Sequence, residues 1–239
     1  MIIDAHITLN NEVSLVDIES SFERNSIDMA IAAPSKKEFA YENRVGNIRM
    51  AQACKKLSKL RFWAVATPWS NSCKEDIREA LNDGALGVAF DSSVQGFTLL
   101  GKEIQDLLEF ISGFSLPVYF HTGTPVNALP LQLAHLASNF PTTNFIMGRS
   151  GRTDFRTDAI PAMKQSGNIY ADTSHDYSMT GLLAMCDAVG SQRMVFSSDF
   201  PFESQDFSSR NIQQMEIPLQ EKHDILSGNF LRILDGRGI

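Results

Sequence analysis

Short apolar runs recur along the whole chain, at Ile2–Leu9, Ile27–Ala33, Arg61–Thr67, Ala85–Phe90, Pro117–His121, Asn144–Met147, Asn168–Ala171 and Arg193–Phe196, eight in all. Between them lie segments with apolar residues three and four apart, a spacing that predicts helices. Examples are Val45, Ile48, Ala51 and Cys54 before Leu57, and Ile104, Leu107, Leu108 and Ile111 after Gly101. The eighth run is followed by Asp224-Ile225-Leu226 and Phe230-Leu231, again at helical spacing, so the organisation is eight βα units. Runs that are apolar almost throughout, such as Pro117-Val118-Tyr119-Phe120, suit parallel strands covered on both faces. Sharing 239 residues among eight units gives about 30 each, one βα repeat, and the total is near the roughly 250 of a closed barrel. An α/β chain folded as a (β/α)8 TIM barrel is therefore predicted. The alternative, an open doubly wound sheet, is disfavoured because no glycine-rich phosphate fingerprint follows the first run. No Pro/Gly/Ser linker or charge block divides residues 1–239, which read as one domain.

The composition, 43% apolar and 21% charged, is that of a chain able to bury a core. A net charge of −7 supplies no basic field to draw it to nucleic acid or to an anionic membrane. No run approaches the roughly 20 apolar residues of a membrane helix. Met1-Ile2-Ile3-Asp4 has neither a basic n-region nor a small-residue cleavage site, so a cytoplasmic protein is expected. Cys54, Cys73 and Cys186 are odd in number and scattered, and read as reduced thiols rather than a disulfide framework or a zinc knuckle.

In such a barrel the strand C-termini carry the active site. The first run alternates Asp4, His6 and Thr8 with Ile3, Ala5 and Ile7, and the period of two predicts that the three polar side chains look into the barrel. His121 ends the fifth run before Thr122-Gly123-Thr124, and Asp199 ends the eighth in Phe196-Ser197-Ser198-Asp199-Phe200-Pro201. Two imidazoles and a carboxylate at strand ends form a ligand set that fits zinc or another divalent ion. The sixth run ends in Met147-Gly148-Arg149-Ser150-Gly151-Arg152, with Arg156 soon after. A guanidinium cannot ligate a metal but grips carboxylate or phosphate, so Arg149 is read as an anion holder, and Arg152 and Arg156 as solvated helix residues. His175, after Asp172-Thr173-Ser174, stands where it can reach the mouth; His135 reads as structural, and His223 lies away from any strand end. A G-x-S-x-G elbow, a Walker A loop and an H-E-x-x-H zincin sequence are all absent.

These residues resemble the amidohydrolase superfamily, in particular the branch typified by aminocarboxymuconate semialdehyde decarboxylase. The resemblance runs from Ile3-Asp4-Ala5-His6 through Gly84-Ala85-Leu86-Gly87-Val88, Leu116-Pro117-Val118-Tyr119-Phe120-His121-Thr122-Gly123 and Asn144-Phe145-Ile146-Met147-Gly148. It continues through Asn168-Ile169-Tyr170-Ala171-Asp172-Thr173-Ser174 and Phe196-Ser197-Ser198-Asp199-Phe200-Pro201-Phe202 to Asn229-Phe230-Leu231-Arg232-Ile233-Leu234. It implies metal ligands at His6, His121 and Asp199, with Thr8 where the family carries a second histidine and Arg149 where it carries an acid–base histidine. Two readings follow. In the first, one divalent ion, zinc or manganese, serves a hydrolase or sibling decarboxylase acting on a small carboxylated or cyclic-ester substrate. Asp199 then takes a proton from bound water, Arg149 holds a substrate carboxylate and His175 touches the ligand. In the second, Thr8 and Arg149 mark a barrel that has lost its metal. Arg149 there pairs with Asp199, leaving a small-anion-binding protein or a metal-independent lactonase. The expected partner is a small anionic organic molecule, and by analogy the chain forms a homodimer.

Overall fold

The computed structural model describes residues 1–10, 12–176 and 178–234. Eight parallel strands follow one another in chain order: β1 (Ile3–Leu9), β2 (Met29–Pro34), β3 (Leu60–Val65), β4 (Gly87–Phe90), β5 (Val118–His121), β6 (Phe145–Gly148), β7 (Ile169–Asp172) and β8 (Met194–Val195). The sheet returns on itself where Ala5 N donates to Phe196 O at 3.0 Å, Asp199 N to His6 O at 3.1 Å and Thr8 N to Phe200 O at 2.7 Å. The expected (β/α)8 barrel is thus present, with β8 short because its continuation joins β1 through these loop bonds.

Helices fill the connections: α1 (Leu15–Arg24), α2 (Lys36–Ala40), α3 (Asn43–Lys56), α4 (Cys73–Asn82), α5 (Ser92–Gln95) and α6 (Lys102–Ser112). They continue as α7 (Pro130–Ser138), α8 (Ala159–Gln165), α9 (Met179–Val189), α10 (Gln205–Gln214), α11 (Leu219–His223) and α12 (Asn229–Ile233). No helix among the described residues is long and apolar enough to cross a membrane. Ile3, Ala5, Ile31, Trp63, Tyr119 and Ile146 pack inside the barrel. Ile7, Phe62, Phe90, Phe120 and Met147 pack outward against the helices.

Two elements depart from the spacing that predicts them. The register of β1 on β2 shifts between Asp4 and Ile7, where three steps on one strand meet two on the other. A bulge of this kind reverses the inward and outward faces. Asp4 therefore faces the helix layer, where its carboxylate accepts from Gln205 Nε2 at 2.9 Å, whereas His6 and Thr8 stay on the barrel side. The expectation of three inward polar residues is corrected to two. The indole of Trp63 donates to the Ala5 carbonyl at 2.9 Å, satisfying that buried acceptor at the bulge.

The second departure is α3, where Val45 and Ile48 are 57% and 46% exposed. The helix turns instead a face containing Asn43, Asn47 and Met50 toward the barrel. Asn47 clasps Val65, accepting from its N–H at 2.9 Å and donating to its carbonyl at 3.0 Å, and Asn43 accepts from Thr67 N at 2.7 Å. Backbone groups at the end of β3 need partners once buried, and two amide side chains meet that need at the expense of two exposed apolar residues. In α6, by contrast, Ile104, Leu107, Leu108 and Ile111 are all buried, as their spacing predicts.

Candidate functional site

The C-terminal rim collects unusual backbone. Arg149 (φ 61°), Ser150 (φ 43°), His175 (φ 58°) and Asp199 (φ 55°) all adopt left-handed conformations directly after β6, β7 and β8. Each costs an L-residue about 1–2 kcal/mol. Elsewhere among the described non-glycine residues only Ser26 and Ser115 have positive φ. Strain concentrated on one rim marks it as the place where geometry serves something other than stability.

Asp199 is held there by buried contacts. Its neighbour Ser198 donates its N–H and hydroxyl to the Asp4 carboxylate at 2.9 and 2.5 Å. Burial pushes the Asp4 carboxyl up to about 6, against the hydrogen bonds from Ser198 and Gln205 that lower it. Asp4 thus anchors the turn that presents Asp199.

Within the barrel mouth, the His6 ring stacks on Tyr119 at 4.6 Å and meets the edge of His121 at 4.7 Å. Tyr119 is pinned by donating its hydroxyl to Asp172 at 2.5 Å. His6 Nδ1 lies 3.3 Å from Asp199 Oδ1. One ligand atom each from His6, His121 and Asp199 falls within 4.8 Å of the others. Neither ring nitrogen of His6, nor His121 Nε2, nor Asp199 Oδ1 has a hydrogen-bond partner. A buried polar atom without a partner costs about 1–3 kcal/mol, and a cation would answer three of these at once, one each from His6, His121 and Asp199.

The surroundings suit such an ion. His121 Nδ1 lies 2.9 Å from Asp91 Oδ2, so with Asp91 ionised the proton sits on Nδ1 and the Nε2 lone pair faces the cluster. Burial and the nearby Arg149 charge push the His121 imidazole down to about 4, which keeps it in the neutral, ligating form. Burial would raise the Asp91 carboxyl, but His121, Ser93 and Arg149 outweigh it and hold the group below the usual carboxylate range. Asp199 is likewise held well below that range, since the bond from His175, the nearness of the His6 imidazole and the Arg149 charge outweigh its burial. The residues therefore fit a divalent ion as three ligands with one carboxylate orienting an imidazole. Thr8, on the same face, brings a hydroxyl where a further imidazole would ligate better.

Arg149 Nε donates to Asp199 Oδ2 at 3.1 Å, and His175 Nε2 lies 2.6 Å from the same oxygen. His175 Nδ1 is 2.6 Å from Glu203 Oε1, so the imidazole lies between two carboxylates. Although burial opposes it, these carboxylates raise the His175 pKa. Above them is a cavity of about 310 Å³ lined by Lys36, Arg149, Arg152, His175, Phe202 and Glu203. A second, small recess of about 10 Å³, room for one water molecule, is bounded by Asp91, His121, Thr122 and Arg149.

The structure thus brings His6, His121, Asp199, Arg149 and His175 together. It adds Arg152 to the cavity wall, while Arg156 turns aside to pair with Asp176 at 2.7 Å. His135 and His223 are exposed on helices. Sequence reasoning missed Asp91, Glu203, Tyr119 and Lys36. Of these only Asp91 carried a signal, a carboxylate immediately after the fourth apolar run.

Comparison with known proteins gives a consistent picture. The sequence model of a family described as Amidohydrolase matches residues 17–236. The gamma-resorcylate decarboxylase of Rhizobium sp. (strain MTP-10005) is 23% identical over an alignment of 261 residues, covering 86% of this chain and 80% of that protein. A dihydroxybenzoic acid decarboxylase from Polaromonas sp. JS666, solved with bound manganese and the inhibitor 2-nitroresorcinol, superposes with a TM-score of 0.78 at 14% identity, over 99% of this chain and 98% of that one. The 5-carboxyvanillate decarboxylase of Novosphingobium aromaticivorans DSM 12444, complexed with manganese and 4-hydroxy-3-methoxy-5-nitrobenzoic acid, gives 0.78 at 13% identity, over 98% and 96%. The structural likenesses establish the shared barrel.

Proposed function

Because this chain belongs to the amidohydrolase family, we propose that it is a metal-dependent enzyme removing CO2 from a small carboxylated substrate, with hydrolysis as the sibling outcome. The observation that carries the reading is the convergence of partnerless atoms on His6, His121 and Asp199 beside a cavity walled by arginine. Manganese is the first ion to test, since the solved decarboxylases above hold it, and zinc the second.

A divalent ion on these ligands would polarise the substrate oxygens and stabilise the charge that develops as the carbon–carbon bond breaks and CO2 leaves. The vacated carbon takes a proton, for which the cavity-lining His175, favoured despite its burial in its protonated form by Asp199 and Glu203, is the donor. Arg149 holds the substrate carboxylate at the cavity wall by charge-assisted hydrogen bonds. Its Nε stays tied to Asp199, so one guanidinium orients ligand and substrate together. His175, between Asp199 and Glu203, fixes the Asp199 carboxylate and faces the cavity. Decarboxylation is favoured over hydrolysis by the state of Asp199. Oδ2 already has Arg149 and His175 as partners and Oδ1 points to the cluster, which leaves no oxygen to receive a proton from water.

Purified protein is expected to carry or accept stoichiometric manganese or zinc, to release CO2 from hydroxylated aromatic carboxylates, and to lose both properties in His6→Ala. A preparation that cannot be loaded with either ion overturns the reading. One contact, Arg149 on Asp199, favours the metal-free alternative, an anion-binding barrel or a metal-independent lactonase. In that case elemental analysis is blank and anions alone raise the melting temperature through binding to the folded state.

A further inference from the structure

The cations of the mouth cavity divide into two kinds. Arg149 is met by Asp199, and His175 is flanked by Asp199 and Glu203. Lys36 and Arg152 have no carboxylate within ion-pairing distance among the described residues, although both line the same cavity. Among the described residues the Lys36 ammonium lies over the face of Phe202, 5.5 Å from the ring centroid. Phe202, 51% exposed, offers an aromatic wall to the same space.

Two cations lining one cavity, with no carboxylate paired to either among the described residues, favour an anion placed between them. A single carboxylate bound by Arg149 beside the ligand cluster leaves both unanswered. The cavity volume of about 310 Å³ is at the size where an aromatic ring with two substituents is enclosed. Lys36 begins α2, immediately after β2, and Arg152 follows the turn after β6. The two cations therefore come from different βα connections.

We infer that Lys36 and Arg152 form a second anion subsite, so that the substrate is at least a dianion: an aromatic or comparably flat carboxylate bearing a second carboxylate or a phosphate, the latter alone adding about 1.5 to 2 negative charges at pH 7. The first group is held at Arg149 and the second between Lys36 and Arg152, with the ring against Phe202. This rests on the proposed function for the first group, and the second group is read from Lys36 and Arg152 alone.

The test is calorimetric binding of benzoate, isophthalate and 3-carboxyphenyl phosphate to the intact metal-loaded chain, to Lys36→Met, to Arg152→Met and to the double variant. Metal content and melting temperature are recorded for each. Both dianions, or whichever of the two matches the natural group, should bind about tenfold or more tightly than benzoate. Each single variant should remove most of that preference while changing benzoate affinity less than about twofold and leaving metal content unaltered. Salt should weaken dianion binding more than benzoate binding. Equal affinities for benzoate and both dianions in the wild type, or a preference that survives in the double variant, overturns the subsite and leaves the proposed function standing. Protein that takes up no metal yet loses dianion binding in Lys36→Met overturns the metal-dependent reading and keeps the subsite. Failure of all three ligands to bind overturns both.

Discussion

Replacing Asp91 by asparagine isolates the group that prepares His121 as a ligand. Asp91 Oδ2 lies 2.9 Å from His121 Nδ1, and Oδ1 accepts from Ser93 N at 3.0 Å as the cap of α5. Asparagine keeps the volume and, with its oxygen toward Ser93, the cap. Its NH2 then faces His121 Nδ1 and can only donate, so the favoured tautomer moves the ring proton to Nε2, the atom that must bind the ion. The loss of a carboxylate also removes an anion that partly offsets the Arg149 charge. Orienting carboxylates of this kind are worth about 10–100-fold in metal affinity, or roughly 1.4–2.7 kcal/mol. Manganese affinity, measured by competition with a fluorescent chelator at fixed pH and ionic strength, should fall by that factor in Asp91→Asn. Metal-free melting temperature should change by only a few degrees, because the cap and the packing persist. An unchanged dissociation constant, with the variant folded, would refute the assignment of His121 Nε2 as ligand.

Three further outcomes are expected. Thr8→His places an imidazole on the inner face of β1 near the cluster and should tighten manganese binding about tenfold or more, read by the same competition assay. Asn47→Leu strands the Val65 N–H and carbonyl and should cost about 2–4 kcal/mol in urea unfolding, while Ile48→Lys on the exposed side of the same helix should stay within about 0.5 kcal/mol. Burial raises the Glu38 carboxyl, but two bonds from Arg49, at 2.6 and 2.5 Å, and two from Ser35, its hydroxyl and its N–H, outweigh it and lower the pKa in the folded state. A lowered carboxylate stabilises fully above its unfolded pKa of about 4.3 and loses that contribution as pH falls through the folded value. Glu38→Gln should therefore cost about 1 kcal/mol at pH 7, with the gap from wild type closing below roughly pH 4 in denaturant titrations.

The barrel was legible because its signal is repeated eight times, and each run needs only to be apolar and short. Side-chain direction was read from alternation only in β1 and failed there for Asp4, although Asp4, His6 and Thr8 alternate without a flaw. The bulge that separates Asp4 from His6 is seen in the register with β2, beside the closure with the loop after β8, so no local pattern records it. The orientation of α3 is set by the unsatisfied end of β3, which outweighs the exposure of Val45 and Ile48. His121 and Asp199 were found because they end apolar runs, and His6 because it alternates with apolar residues inside the first. Glu203 was not, since it lies four residues beyond Asp199 in a loop whose course depends on its tertiary contacts.

The place of Arg149 bears on whether an ion was lost or merely joined. A guanidinium about 6 Å from a divalent ion meets a repulsion of about 5 kcal/mol at an effective dielectric of 20. A carboxylate between them offsets most of that, and Asp199 stands against Arg149 with Nε at 3.1 Å from Oδ2. An arginine that had replaced the ion would be expected to satisfy both Asp199 oxygens through its forked face. Here it uses Nε on one oxygen and leaves Oδ1 without a hydrogen bond, beside His6 and the His121 Nε2 that also lack hydrogen-bond partners. His121 remains braced by Asp91 for a ligand's role, and four residues at the rim keep costly left-handed backbone to hold the arrangement. These features have no use in a barrel whose cation is already covalently supplied. They are accounted for when Arg149 shares Asp199 with an ion and turns its remaining donors toward a substrate anion.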